Sequence, residues 1–207
     1  MVQEERVLPQ TLPIFPLTGA LLLPRAQLPL NIFEPRYIEM IDDALRTDRM
    51  IGMVQTHKCD GGDCQLYDIG CAGRIVAFDE TEDNRYLITL LGKSRFRIVE
   101  EVDVVNKYRR VKADWSEFKH DLDMTDCFGF KKDQFFSVLK EYFNRLDMDM
   151  NWEILYEAPD EKIISALSMI CPFEPSEKQA LLEAPCCQSR GEVLQAMLEI
   201  EIHKKVI

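Results

Sequence analysis

The spacing of apolar residues predicts two regions of different secondary structure. Up to about residue 118, short runs rich in β-branched residues alternate with turn sequences, as in GCAGRIVAFDE and RYLITLLGKSRFRIVEEV. Runs of this kind are typical of strands. From about residue 125, apolar residues recur at intervals of three and four, which is typical of helices. The pattern therefore predicts an α+β protein with a β-rich lobe over residues 1–118 and an α-helical bundle lobe over residues 125–207.

One helix interrupts the predicted strands. In EPRYIEMIDDALRTD, apolar residues recur at helical spacing on a single face, and Pro35 suits the first helical position because no backbone N–H is needed there. Asp42 and Asp43 fall on the opposite, solvent-facing side. In the second region, Ser176 with Gln179 and Ser189 with Glu192 have the spacing of capping boxes, so we expect two helices to begin there.

The charge balance narrows the choice of partners and compartment. The formal net charge is −11, of which −8 falls after His120, and so acidic a chain is repelled by nucleic-acid phosphates. No basic segment leads into an apolar stretch at the start, and no apolar run is long enough to span a bilayer. The seven cysteines show no even framework spacing. We therefore expect a cytoplasmic protein with free thiols, bound to neither nucleic acid nor membrane.

The sequence lacks the motifs of common catalytic sites. Gly92-Lys93-Ser94 is similar to the end of a phosphate-binding loop, but that loop requires a glycine at position 87, which is a leucine. The triplet is better interpreted as a turn between strands. Neither a G-x-S-x-G nor an H-E-x-x-H motif occurs. We expect the protein not to be an enzyme and to need no cofactor.

The best metal-binding candidate is the set His57, Cys59, Cys64 and Cys71, which offers one imidazole and three thiolates. Structural zinc uses such a set, but usually with ligands two to four residues apart, and the spacing here is wider. Ordinary free thiols are the preferred interpretation, and a redox-sensitive pair of Cys59 and Cys64 is a further alternative.

A row of basic residues could lie on one face of a predicted strand. If Phe96 and Ile98 point inward, then Lys93, Arg95 and Arg97 point outward. We interpret this row as a solvated face balanced by neighbouring carboxylates, since the overall charge disfavours binding of acidic partners.

Four ordered segments resemble a known family: LPIFPL, LLLPRAQLPLNIFEPRY, DIGCAGRIVAFDE and YLITLLGKSRFRI. They are similar to the N-terminal, substrate-binding domain of Lon proteases. The resemblance implies a PUA-like β-barrel-type lobe of about six strands with an inserted helix, followed by an α-helical bundle. It also implies a free-standing member of that family, without the ATPase and peptidase domains of a Lon enzyme.

The resemblance further implies a non-catalytic module that recognises exposed apolar segments of client proteins. Prolines flank a leucine run that one strand face could not bury completely, so we expect part of the peptide-binding surface there. The alternative function is a scaffold or adaptor that docks a partner, for example a protease, through the acidic helical lobe. The monomeric or dimeric state stays open. The residues expected to bind peptide are Leu21, Leu22, Leu23, Phe33, Arg36 and Tyr37.

Overall fold

The computed structural model describes residues 8–57, 65–102, 107–123, 127 and 129–204. The chain divides into two compact units, residues 1–123 and residues 124–207. In the described part of the chain, the strands lie in the first unit and the second unit contains only helices, which confirms the predicted α+β class. Among the described residues, no helix is both long enough and apolar enough to cross a membrane.

As far as its residues are described, the first unit has six strands, one α-helix between the second and third strands, and a 3-10 helix after the last strand. The helix α1 forms as predicted, because its buried residues Tyr37, Met40, Ile41 and Ala44 recur on one face. The elements are β1 (Thr11–Pro16), β2 (Gln27–Ile32), α1 (Pro35–Arg46), β3 (Met50–Val54), β4 (Ile69–Glu80), β5 (Tyr86–Val102), β6 (Arg110–Asp114) and the 3-10 helix (Ser116–Leu122).

The strands form one sheet in the order β2-β5-β4-β3-β1-β6, and β5 also pairs with β6. This last pairing closes a ring of five strands, with β2 added beside the first half of β5. All pairs are antiparallel except β1 with β3. Strand β2 has an edge outside the ring, and Pro29 in that strand cannot donate a backbone hydrogen bond.

Phe96 of β5 occupies the centre of the barrel core. A side chain at Gly52 or Gly70 would lie within 3.0 Å of the Phe96 ring, so both positions stay small to admit the ring. The core therefore depends on one large residue matched by two glycines on facing strands. The buried residues packed in this cluster are Leu12, Ile14, Met50, Val54, Ala72, Phe96 and Val111.

The leucine run between β1 and β2 is buried, which contradicts the expectation of an exposed leucine surface. Leu21, Leu22 and Leu23 are at most 2% exposed. A side chain at Gly92 would lie 2.0 Å from the backbone oxygen of Leu23, so glycine is needed for this close approach. The segment lies against β4 and β5, and its leucines fill the space above the sheet. The turn expected at Gly92–Ser94 is also wrong, because β5 runs through these residues.

The 3-10 helix covers the outer side of β5. Arg95 points away from Phe96 as expected, but it is buried, because its guanidinium and backbone N–H donate three hydrogen bonds to the Asp121 carboxylate at 2.8–3.0 Å. The Phe118 ring lies 4.5 Å below the same guanidinium. The solvated basic face is therefore wrong for Arg95, while Arg97 pairs with Glu117 on the surface.

The described residues of the second unit form five helices, with α6 at the centre of the recorded packing. Helix α6 packs against α2, α4 and α5. Gly191 permits close packing, since a side chain there would lie 2.8 Å from Phe130 and 3.0 Å from Ile164. The helices are α2 (Lys132–Arg145), α3 (Trp152–Glu157), α4 (Asp160–Ile170), α5 (Pro175–Glu183) and α6 (Cys187–His203).

Two of these helices begin earlier than the capping motifs predicted. Helix α5 begins at Pro175, where the backbone N–H of Glu174 donates to the Glu177 carboxylate at 2.8 Å. At α6, the Cys186 sulfur accepts a hydrogen bond from the Ser189 backbone N–H. Glutamate and cysteine side chains thus replace the serines expected in the capping positions.

Cys127 and Cys187 form a disulfide that joins the start of the second unit to the start of α6, with their Cα atoms 5.3 Å apart. The expectation of free thiols is therefore wrong for this pair. Cys71 and Cys171 are buried free thiols, and Cys186 is an exposed one.

Candidate functional site

A groove of about 510 Å³ lies on the first unit, between α1 and the turn that joins β4 to β5. Its helical wall comes from residues spaced three and four apart on the side of α1 opposite the buried face. The lining residues are Phe33, Pro35, Ile38, Glu39, Asp42, Asp43, Arg46, Asp83 and Asn84.

Phe33 supplies the aromatic surface of the groove. It lies between the end of β2 and the start of α1, and it is 63% exposed. The guanidinium of Arg85 lies 5.9 Å from the centre of its ring. An exposed phenylalanine in a concave site offers apolar area that a ligand can bury.

Two tyrosines hold the helical wall in place. The Tyr86 hydroxyl donates to Asp42 at 3.1 Å, and the Tyr108 hydroxyl donates to Asp43 at 2.8 Å. Burial and the bond to Asp42 together raise the pKa of Tyr86. The Tyr86 hydroxyl therefore stays protonated at neutral pH, and the two hydrogen bonds together hold α1 in place.

Carboxylates dominate the electrostatics of the groove. Four acidic residues and one basic residue line it. Arg46 pairs with Asp43 at 3.3 Å, and Arg85 pairs with Asp83 at 2.8 Å. The side-chain hydrogen bond from Thr81 and the charge of Arg85 lower the pKa of Asp83. The groove thus combines an apolar seat, which is the exposed ring of Phe33, with a wall of negatively charged carboxylates.

The family is decided by a match along most of the chain. A family model described as "ATP-dependent protease La (LON) substrate-binding domain" matches residues 11–199. The chain belongs to the Lon substrate-binding domain family. It is 35% identical over 115 residues to Lon protease 2 of Myxococcus xanthus, covering 54% of this chain and 14% of that protein. It is 24% identical over 204 residues to the Lon protease of Flavobacterium johnsoniae, covering 95% of this chain and 25% of that protein.

Solved structures confirm the Lon N-terminal domain fold. The Lon N-terminal domain protein from Xanthomonas campestris aligns with a TM-score of 0.63 and 24% identity, covering 90% of this chain and 97% of that chain. The N-terminal domain of a Mycobacterium avium complex Lon protease aligns with a TM-score of 0.63 and 14% identity, covering 91% of this chain and 98% of that chain. At these identities the likeness concerns the fold.

The peptide-binding residues expected from the sequence have separate environments in this Lon domain. Phe33 lines the groove, and Arg36 is exposed beside it, paired with Glu34 at 2.8 Å. Tyr37 is buried against Phe15, with ring centres 4.4 Å apart. Glu34 precedes the helix but does not cap it with its side chain. With Leu21, Leu22 and Leu23 also buried, only Phe33 and Arg36 of the six can touch a ligand from the surface.

Sequence reasoning missed most of the groove. No sequence pattern singles out Ile38 or Glu39, and the helical spacing predicts only that Asp42 and Asp43 face solvent. The helical periodicity that predicted the buried face could also have identified this second face. Nothing local in the sequence indicated that the turn carrying Asp83 lies opposite it.

The proposed metal set is only partly described. His57 stacks on Tyr67 with ring centres 3.8 Å apart, and Cys71 is buried within β4. Cys59 and Cys64 lie outside the described residues. Within the described part of the chain, no group of three metal-ligating side chains is close enough to hold an ion.

A smaller pocket of about 220 Å³ lies in the second unit, between the start of α2 and the middle of α6. Its walls are mainly polar, with Gln134, Gln195 and two glutamates around Phe130. It lacks an exposed aromatic surface of the kind that Phe33 provides, so the groove on the first unit is the better candidate for peptide binding.

Proposed function

We propose that this protein binds exposed apolar segments of client proteins in the groove beside α1, with no chemical step of its own. Membership of the substrate-binding domain family supports a binding role. The observation that carries the proposal is the exposed Phe33 ring inside a concave site whose wall is fixed by two tyrosines. Unfolded segments expose apolar side chains that folded proteins bury, so an apolar seat distinguishes the two.

The first experiment compares Phe33→Ser with Val99→Ser in binding fluorescent peptides taken from unfolded proteins. Val99 is also exposed and apolar, but it lies on β5 outside the groove, so it serves as the matched control. Burial of a phenylalanine contributes about 1.5–3 kcal/mol, so Phe33→Ser should weaken binding by about 10- to 100-fold. Equal affinities for the two variants, or binding of a folded control protein, would refute the proposal.

The second candidate function is an adaptor role for the acidic helical unit. Ile154 and Ile170 are each 69% exposed on different helices of that unit, and such residues can anchor a partner. A photo-reactive amino acid at Phe33 or at Ile170 separates the functions in cells. Crosslinks from position 33 to many unrelated proteins support client capture, whereas one dominant crosslinked protein from position 170 supports the adaptor role.

A further inference from the structure

We propose that the groove selects client segments in which a basic residue stands beside the apolar residue that contacts Phe33. This inference rests on the proposed function and names the class of segment that the same groove prefers. The occupant is a peptide that carries lysine or arginine within one or two positions of an aromatic or aliphatic side chain.

The charge of the groove wall carries the inference. Arg46 and Arg85 pair with Asp43 and Asp83, respectively. Within the described residues, Glu39 forms neither a hydrogen bond nor an ion pair, and Asp42 has the neutral Tyr86 hydroxyl as its partner. A bound segment that displaces water from this wall therefore loses less free energy if it brings a positive charge.

The spacing of the wall matches a short peptide motif. Ile38 and Asp42 lie four residues apart on α1, and Glu39 lies between them along the same groove. Residues with this separation are about 5–6 Å apart on a helix surface. Alternate residues of an extended peptide are about 6.6 Å apart, so an apolar and a basic side chain two positions apart can contact Ile38 and Asp42 together.

Arg85 follows the lining residues Asp83 and Asn84 and shows how a guanidinium binds next to this groove. It lies 5.9 Å from the Phe33 ring centre, while its Nε contacts Asp83 at 2.8 Å. This cation is therefore close to both an aromatic ring and a carboxylate. Glu39 and Asp42 offer a comparable carboxylate surface on the opposite wall for a cation of the client.

The test uses three labelled peptides that share one phenylalanine–leucine core and differ only in flanking residues: lysine and arginine, serine and glutamine, or glutamate. Binding is measured by fluorescence anisotropy to the full chain and to its Glu39→Gln, Asp42→Asn double variant. Both substitutions keep the side-chain shape, and asparagine can still accept the Tyr86 hydrogen bond. Glu141→Gln, an exposed position on α2, is the charge control. Circular dichroism checks that each variant is folded.

We expect the basic peptide to bind about 3- to 10-fold more tightly than the neutral one, and the acidic peptide more weakly still. The double variant should lose this preference, and Glu141→Gln should keep it. Raising the salt from about 0.01 M to about 1 M, which shortens the Debye length from about 30 Å to about 3 Å, should also remove it.

Two results would contradict the inference, and a third would refute the proposed function on which it rests. Equal binding of all three peptides would overturn it and leave the proposed function intact. A preference for the basic peptide that survives in the double variant would place the responsible charge elsewhere and overturn it too. Absence of binding by every peptide would instead refute the proposed function itself.

Discussion

The ion pair between Arg95 and Asp121 allows a test of how burial changes the contribution of an ion pair to the free energy of unfolding. Its side chains are 1% and 6% exposed, respectively. A second pair, Arg97 with Glu117, joins the same strand to the same 3-10 helix, but its side chains are 41% and 47% exposed. Both arginines donate two side-chain hydrogen bonds to their carboxylate at 2.8–3.0 Å. The backbone N–H of Arg95 also donates to Asp121, and an asparagine at that position can still accept this bond. The comparison of Asp121→Asn with Glu117→Gln therefore tests mainly the effect of burial.

The expected difference is large. Removing the charge of Asp121 leaves the buried guanidinium of Arg95 uncompensated, which costs about 3–5 kcal/mol. Removing the charge of Glu117 costs about 0–1 kcal/mol, because water solvates Arg97 equally well. With a urea m-value of about 2 kcal/mol/M, the first change should lower the unfolding midpoint by about 2 M and the second by less than about 0.5 M.

Urea unfolding followed by fluorescence measures this difference. Trp115 packs beside Phe96 at 5.5 Å between ring centres, so it reports on the first unit. Trp152 lies in the second unit, and a Trp152→Phe background removes its signal. If the two variants shift the midpoint equally with unchanged m-values, burial does not govern the strength of these pairs and the reasoning is refuted.

The pH dependence of the same pair supplies an independent check. Burial alone would raise the pKa of Asp121, but the hydrogen bonds and the charge of Arg95 outweigh burial and lower it. A carboxyl with a lowered pKa in the folded state stabilises the fold above its unfolded pKa of about 3.9, and this contribution is lost as the pH falls through the folded value. The stability gap between the native chain and Asp121→Asn should therefore be constant near neutral pH and shrink below about pH 4.

Two further predictions concern the cysteines. The disulfide between Cys127 and Cys187 closes a loop of 60 residues, so Cys187→Ser should lower the free energy of unfolding of the second unit by about 2–4 kcal/mol. Calorimetry without reductant measures this loss, and the control Cys186→Ser should leave the free energy of unfolding nearly unchanged. Equal losses in the two variants would contradict the prediction. In alkylation with iodoacetamide, Cys186 should react long before Cys171, because hydrogen bonds from Ser189 lower the pKa of Cys186 while burial raises that of Cys171 to about 11. Mass spectrometry measures the labelling of each thiol, and faster labelling of Cys171 would refute this order of reactivity.

Periodicity predicted those elements in which the spacing of apolar residues within the element identifies the buried face. Helix α1 shows a single apolar face, and β4 and β5 show runs of strand-forming residues, so the α+β class followed from the sequence. The leucines at positions 21–23 could not be placed in this way. They belong to a segment without regular structure, and their burial depends on Gly92, which lies about seventy residues further along the chain.

The burial of Arg95 is a second feature that local sequence patterns did not predict. Alternation along the strand predicted the side to which it points, but not that a later segment would cover that side. The β4–β5 register shifts just before Arg95, where Ala72 pairs with Ser94 and Gly73 with Gly92. The partner Asp121 lies in a stretch without periodicity, so no pattern indicated that its carboxylate is buried.

The pairing of β1 with β6 constrains how the first unit can form during synthesis. Leu12 faces Val111, so the barrel cannot close until nearly the whole unit has left the ribosome. Until then the apolar strands that precede β6 lack their final partner, and the nascent chain is itself an unfolded protein with exposed apolar segments. The same pairing brings the two ends of the unit together. A circular permutant that joins these ends and opens the turn at residues 81–85 should therefore retain the barrel and cut the groove wall at its loop side.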